Sequence, residues 1–235
     1  MNHGTHPNRW IEININEMPP GNDDLIATTG HSHIYKYKDC FVVKIVAHER
    51  ELEMMLDAGE CAITPRGRVM KREKQVGIIM DLGKPIDVTS LDYHGRKQLM
   101  YEMIDLIAAL HQKGVLHGDV KLANMLRAPD GSLRLCDFEG AQREAEAYEP
   151  EEPTVNWMSR FRLENLNLPM NKTDDFYALG LTIWEVFTGK VPFPGLQENE
   201  VEKSILAGET VDFSEIVDPD AHEMVEKYME IGKEF

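Results

Sequence analysis

No apolar run in this chain approaches the roughly 18 residues that a membrane-spanning helix needs. The N-terminus, from Met1 to Arg9, is polar and carries no apolar signal segment. Cysteine is scarce: Cys40, Cys61 and Cys136 lie far apart, so neither a zinc spacing nor a paired disulfide framework fits. Reduced thiols in an intracellular protein, cytoplasmic or nuclear, are the expectation. Bases fall well short of acids, 25 Lys and Arg against 41 Asp and Glu, for a formal net charge of -16. That balance opposes general affinity for nucleic acid or an anionic membrane and is compatible with a basic protein substrate. It says nothing of oligomeric state. What remains is an ordinary globular composition, 42% hydrophobic and 28% charged over 235 residues, enough for a sizeable core in one or two domains.

The chain is organised around Leu116-His117-Gly118-Asp119-Val120-Lys121-Leu122-Ala123-Asn124-Met125-Leu126. Asp119, Lys121 and Asn124 stand at the spacing D-x-K-x-x-N. Shortly after, the apolar run Leu133 to Cys136 leads into Asp137-Phe138-Glu139-Gly140. An isolated Asp or Asn in a polar loop is turn chemistry, but an ordered set of this kind is poorly explained that way. The arrangement resembles the catalytic and metal-binding loops of eukaryotic-type protein kinases, which read H-R-D-x-K-x-x-N and D-F-G. Here they read HGD and DFE. Asp175 to Gly180 matches the D-x-[WY]-x-x-G start of that family's buried central helix, and Thr188 to Phe193 matches its T-G-x-x-P-F exit. Arg162-Leu163-Glu164 takes the place of A-P-E, whose glutamate pairs with an arginine expected here only beyond Phe235.

The resemblance covers about residues 23 to 231. It implies an α+β, bilobal fold: a small β-rich N-lobe with its hinge over 23–83 and a mainly helical C-lobe over 84–235, shortened at its end. The short, divergent lobes look similar to those of kinase-like proteins of filamentous fungi.

Residues 1–22 read as a mobile lead-in, within which Ile11 to Ile15 reads as an edge strand. Strand-like runs follow at Leu25 to Thr28, Ile34 to Tyr37 and Cys40 to Ile45, the last two joined by a polar turn at Lys38-Asp39. In the resemblance they form the nucleotide roof. With Ile34 at its final valine, the glycine positions of G-x-G-x-x-G-x-V fall on Ala27, Thr29 and Ser32, and Gly30 sits between them. Val42-Val43-Lys44 matches the V-A-I-K strand. A helix over residues 48–59, stopped by Gly59, offers Glu49, Glu51 and Glu53 as partners for Lys44. Only Glu51 has an apolar residue, Met55, one turn on. Val76 to Met80 reads as a buried strand leading into the hinge Asp81-Leu82-Gly83, and helices are expected over 95–113, 201–207 and 221–231. The stretch from Glu139 to Glu152 holds six acids and one base, Arg143. It reads as a solvated loop, with a basic-substrate platform or a self-inhibitory strand as the alternatives.

The resemblance implies ATP and Mg2+ as cofactors. It puts Asp119 and Lys121 in catalysis and Asn124 and Asp137 on the metal. It places Lys44, Glu51, Thr29, Gly30, Ser32, Met80, Asp81, Gly83 and Leu126 around the nucleotide. The expected function is ATP-dependent phosphoryl transfer to Ser or Thr hydroxyls of a protein substrate. Two alternatives stand beside it. The missing roof glycines and Glu139 fit a pseudokinase scaffold. The Gly118 of H-G-D fits a small-molecule phosphotransferase, although Lys121 belongs to the protein-kinase pattern.

Overall fold

Alternation along Phe41-Val42-Val43-Lys44-Ile45 sets the architecture of the N-terminal half. In the computed structural model this segment is strand β4, and successive side chains of a strand point to opposite faces. Phe41 and Val43 join Val69 and Ile79 in one apolar cluster. Val42 belongs to the main core on the other face, and Lys44, two residues on, shares that side. The structure describes residues 10–17, 24–28, 32–45, 49–144, 146 and 154–231.

Strand β4 is central in a six-stranded sheet of order β1-β5-β6-β4-β3-β2. Its members are β1 (Ile11–Asn14), β2 (Leu25–Thr28), β3 (His33–Tyr37), β4 (Phe41–Ile45), β5 (Pro65–Lys71) and β6 (Lys74–Asp81). The expected edge strand is present: β1 pairs in parallel with β5, Ile11 opposite Gly67. A Cβ on Gly67 would fall 1.9 Å from the Ile11 carbonyl oxygen, so only glycine permits this approach. The N-terminal sheet therefore begins within the segment read as a lead-in; residues 1–9 and 18–22 of that segment lie outside the described residues. Strand β5 was not legible from its pattern, being interrupted by Pro65, Arg66 and Arg68. It reverses into β6 through Arg72 and Glu73, both left-handed (φ 53 and 61), as a tight hairpin turn requires.

Between β4 and β5 runs helix α1 (Glu49–Ala58). Beyond the hinge come β7 (Lys84–Pro85), α2 (Tyr93–Gln112), β8 (Val115–Leu116), β9 (Met125–Arg127), β10 (Leu133–Leu135), β11 (Gln142–Arg143), α3 (Arg160–Glu164), α4 (Lys172–Thr188), α5 (Glu198–Leu206) and α6 (Pro219–Ile231). The small ladders β10-β9-β7 and β11-β8 frame the catalytic loop. Helix α5 starts earlier than its apolar pattern suggests, because the Glu200 carboxylate accepts from the Gln197 backbone N–H at 2.8 Å and caps it.

Helix α4 is buried almost all round, from Asp175 through Val186. It opens on Asn171, whose side chain accepts from Thr173 N–H, and closes on Gly189 at φ 71. Helix α6 packs closely on it: a Cβ at Gly180 would lie 2.9 Å from Met229 Cγ. A β-rich N-terminal part joined to a helical C-terminal part is the expected bilobal α+β fold. Among the described residues, no helix is long and apolar enough to cross a membrane. Cys40, Cys61 and Cys136 are free thiols.

Candidate active site

Lys44 leaves β4 into the cleft, where its ammonium lies 2.8 Å from Glu51 Oε1 and 2.6 Å from Asp137 Oδ1. Lys44 and Glu51 are both buried. Burial pulls the ammonium pKa down, but the carboxylates of Glu51 and Asp137 outweigh it and hold Lys44 above its ordinary value. Burial likewise pushes Asp137 up; Lys44 prevails and holds it below the usual carboxylate range. Of the three candidate partners Glu51 is the one that meets Lys44. Glu53 is exposed, and the Glu49 side chain lies outside the described residues. Met55 and Phe138 are fully buried in the same core.

Asp137 holds a left-handed backbone, φ 63, which costs a non-glycine residue strain. Its two neighbours fix it. Cys136 N–H donates to the Asn124 carbonyl at 2.9 Å, and the Phe138 ring meets His117 edge-on at 4.9 Å. His117 accepts from Asp119 N–H through Nδ1 at 3.3 Å and donates through Nε2 to the Cys136 carbonyl at 3.1 Å. The imidazole thus joins the two loops.

Beneath the catalytic loop, Asp175 accepts from His117 N–H at 2.8 Å, Gly118 N–H at 2.9 Å and His111 Nε2 at 2.8 Å. Burial raises this carboxyl, yet the His111 hydrogen bond and the further donors hold it below the usual range. Gly118 sits at φ 77, and a Cβ there would lie 2.8 Å from the Gly140 carbonyl oxygen and 3.0 Å from Met170 Cε. Glycine in H-G-D is therefore required by the packing of this loop as well as by its backbone.

At the mouth of the loop, Asp119 Oδ2 lies 2.6 Å from Lys121 Nζ and accepts from Asn124 Nδ2 at 2.8 Å. Asn124 Nδ2 also donates to the Asp119 carbonyl at 2.9 Å. No sequence motif places Thr154 here, yet its hydroxyl donates to Asp119 Oδ1 at 2.8 Å and accepts from Lys121 Nζ at 2.7 Å. No spacing rule links it to a loop 35 residues upstream.

Glu139, where a glycine was expected, points inward: its Oε2 lies 3.7 Å from Lys44 Nζ. Its φ is not in the left-handed region, so it carries no backbone strain. Glu144 pairs with Lys172 at 2.8 Å, and Glu146 pairs with Arg50 and Arg143. Three of the acids read as a solvated loop are thus ion-paired; Glu149, Glu151 and Glu152 lie outside the described residues.

In the roof, Ala27 lies on β2 and Ser32 is fully buried; Thr29 and Gly30 lie outside the described residues. Met80 pairs with Val42 across β6 and β4. The Asp81 side chain is committed to a two-pronged pair with Arg66, both contacts at 2.7 Å, which leaves only its backbone for a ligand. Gly83 closes the back of the cleft against Leu126, where a Cβ would fall 2.8 Å from Leu126 Cβ. Glu164 pairs with Arg160 on its own helix at 2.8 Å, so its partner is local.

Residues 26–234 match the family model of the protein kinase domain. A probable serine/threonine-protein kinase of Dictyostelium discoideum is 30% identical over 120 residues, 48% of this chain and 22% of that protein. A serine/threonine-protein kinase of Arabidopsis thaliana is 24% identical over 222 residues, 84% of this chain and 37% of that protein. A third, from Cryptococcus neoformans, is 28% identical over 157 residues, 62% of this chain and 12% of that protein. The chain spans well under half the length of each of these three curated relatives.

Proposed function

The chain belongs to the protein kinase superfamily, and from that premise we propose that it transfers a phosphoryl group from ATP to a serine or threonine hydroxyl of a protein substrate. The observation that carries this reading is the Thr154 hydroxyl held between Asp119 and Lys121. That bridge holds Asp119 and Lys121 side by side, a carboxylate to accept a proton from an alcohol and an ammonium to steady the developing charge, which is what an acceptor hydroxyl needs. In the reaction Asp119 orients and deprotonates the incoming hydroxyl, and Lys121 offsets charge on the group in transit. Lys44, steadied by Glu51, receives the α- and β-phosphates.

Asp137 and Asn124 supply oxygen donors of the kind magnesium takes. Asn124 commits its amide nitrogen to Asp119, which leaves its carbonyl oxygen for the metal. A bound magnesium would supply charge neutralisation of the phosphates. An acidic chain, at net charge -16, suits a basic protein substrate. The free thiols suit an intracellular setting.

A pseudokinase scaffold without transfer is the second reading, favoured by the Glu139 carboxylate at Lys44. Two variants separate them. In a magnesium-ATP thermal-shift titration, Asp137→Ala abolishes the shift, whereas Asp119→Asn keeps it. Labelled phosphate transfer to basic proteins, assayed beside a metabolite panel, is then lost in Asp119→Asn. Transfer that survives in Asp119→Asn at the wild-type rate defeats the proposed role of Asp119. Magnesium-dependent binding with no transfer to any acceptor favours the scaffold, and transfer to metabolites alone favours a small-molecule phosphotransferase.

A further inference from the structure

Helix α1 has two faces. Glu51, Met54, Met55 and Ala58 are buried, while Arg50, Glu53 and Asp57, at i, i+3 and i+7, form a charged stripe. That stripe faces Arg143 and Glu146. Arg50 pairs with the Glu146 carboxylate. Arg143 donates to Asp57 Oδ2 through Nε at 2.8 Å and lies 2.6 Å from the same oxygen through Nη2. Its Nη1 reaches Glu146 Oε1 at 2.9 Å. Glu146 thus lies between two guanidiniums, one from α1 and one from β11, whose hydrogen bonds hold its carboxyl below the usual range.

The far side of this bridge is itself anchored. Strand β11 pairs with β8, Gln142 opposite Leu116 and Arg143 opposite Val115. Glu144 N–H donates to the Gly114 carbonyl at 2.9 Å. Strand β8 runs directly into His117 and the catalytic loop. The alternating chain Arg50–Glu146–Arg143–Asp57 therefore connects the helix that presents Glu51 with the strand that presents Asp119. Gly118 has no side chain with which to hold an anion on this segment.

We propose that Glu146 is a positioning residue: wedged between Arg50 and Arg143, it latches α1 onto the catalytic-loop strand and keeps Glu51 on Lys44 without any modification of the segment. Its consequence for turnover rests on the phosphoryl-transfer reading; the latch itself is a property of the free protein. The paired side chains are partly exposed, so salt screens the latch, with a Debye length of about 10 Å at 0.1 M.

Hydrogen exchange of the α1 amides in the whole chain tests this. At low salt Glu146→Gln and Arg143→Gln speed exchange over residues 51–58 by about threefold to tenfold, the range of one or two exposed ion pairs. Exchange in α4 is unchanged, and Glu146→Asp behaves as wild type. At about 500 mM salt, where screening is strong, the variants and wild type converge. Affinity for magnesium-ATP falls by a similar factor in Glu146→Gln. Unchanged α1 exchange in Glu146→Gln at low salt overturns the proposal, as does equal loosening of α4. Loosening of α1 alone, in a protein whose wild type neither binds nor transfers phosphate, supports the latch and defeats the phosphoryl-transfer reading instead.

Discussion

Arg162 grips Asp174 with two hydrogen bonds, Nε to Oδ1 at 2.9 Å and Nη2 to Oδ2 at 2.8 Å. Arg162 is buried, the Asp174 side chain is 10% exposed, and the same guanidinium donates to the carbonyls of Asn165, Leu168 and Pro169. Asp174 also accepts from Asn171 N–H at 2.8 Å at the start of α4. The end of the segment that carries Thr154 is thereby tied to the first turn of the helix whose next residue, Asp175, caps the catalytic loop. This fixed pair sits two residues from Glu164, which pairs with the exposed Arg160 on its own helix.

Breaking this pair from one side strands a buried charge and orphans three carbonyls. Arg162→Gln is expected to cost about 3–5 kcal/mol in urea denaturation. Replacing both partners by apolar residues, Arg162→Met with Asp174→Leu, recovers part of that loss. A cost under about 1 kcal/mol for Arg162→Gln, the level of an exposed pair, contradicts the assignment.

Thr154 gives a second prediction. Thr154→Ala removes the hydroxyl that bridges Asp119 and Lys121, leaving their positions less determined. The turnover number falls by about tenfold or more, with KM for ATP little changed. Thr154→Ser retains the bridge and most of the activity, while Thr154→Val, of similar shape, resembles Ala. If Val matches wild type, the hydroxyl has no part in ordering the loop.

The sequence made some of this architecture plain and hid the rest, for physical reasons. Lys44, Glu51, Asp119, Asn124, Asp137 and Asp175 belong to short motifs whose relation the family resemblance implies, and the structure brings Lys44 to Glu51 and Asp137, Asn124 to Asp119, and Asp175 to the backbone of the catalytic loop. Glu51 stood apart from Glu49 and Glu53 because it alone has an apolar residue, Met55, one turn on, as the resemblance expects. Thr154, Arg162 and Glu146 were not separable. Each acts across a long loop onto a distant element, and no local pattern records such a contact. Strand β5 was hidden because its pairing with β1 and β6 tolerates charged residues that break the apolar alternation. The reading of the acidic run after Glu139 as a solvated loop could not show the cations Lys44, Arg50 and Lys172 that the fold brings to Glu139, Glu146 and Glu144.

Glu185 predicts a pH dependence. Burial pushes this α4 carboxyl up to about 7, although the Leu122 N–H and Lys121 pull the other way. A carboxyl raised in the folded state binds more protons there than in the unfolded chain between its two pKa values. Stability therefore falls as pH rises from about 4.5 toward 7. Asp137 and Asp175, held low, lose their contribution only as pH falls through and below the ordinary carboxylate range. Urea midpoints for wild type between pH 5 and 7.5 are expected to drop with rising pH, and Glu185→Gln should flatten that slope. A wild-type slope unaffected by Glu185→Gln rejects the assignment.

Glu139 decides between the two readings of the cleft. Its carboxylate lies 3.7 Å from Lys44, which already serves Glu51 and Asp137. A triphosphate arriving at Lys44 meets this added negative charge, so Glu139 opposes nucleotide binding unless a divalent cation offsets it. Because its backbone is unstrained, freedom at this position is not what the side chain alters. Glu139→Gln and Glu139→Gly are therefore expected to raise ATP affinity in the same direction, by about threefold to tenfold, where tenfold is about 1.4 kcal/mol. The gain should be larger for ATP without magnesium than with it. Phosphoryl transfer in both variants should hold or rise. If Gly alone changes affinity, backbone freedom and not charge governs the position. If neither variant changes binding or turnover, the carboxylate at Lys44 has no bearing on whether the cleft is a working active site, and the scaffold reading loses its main support.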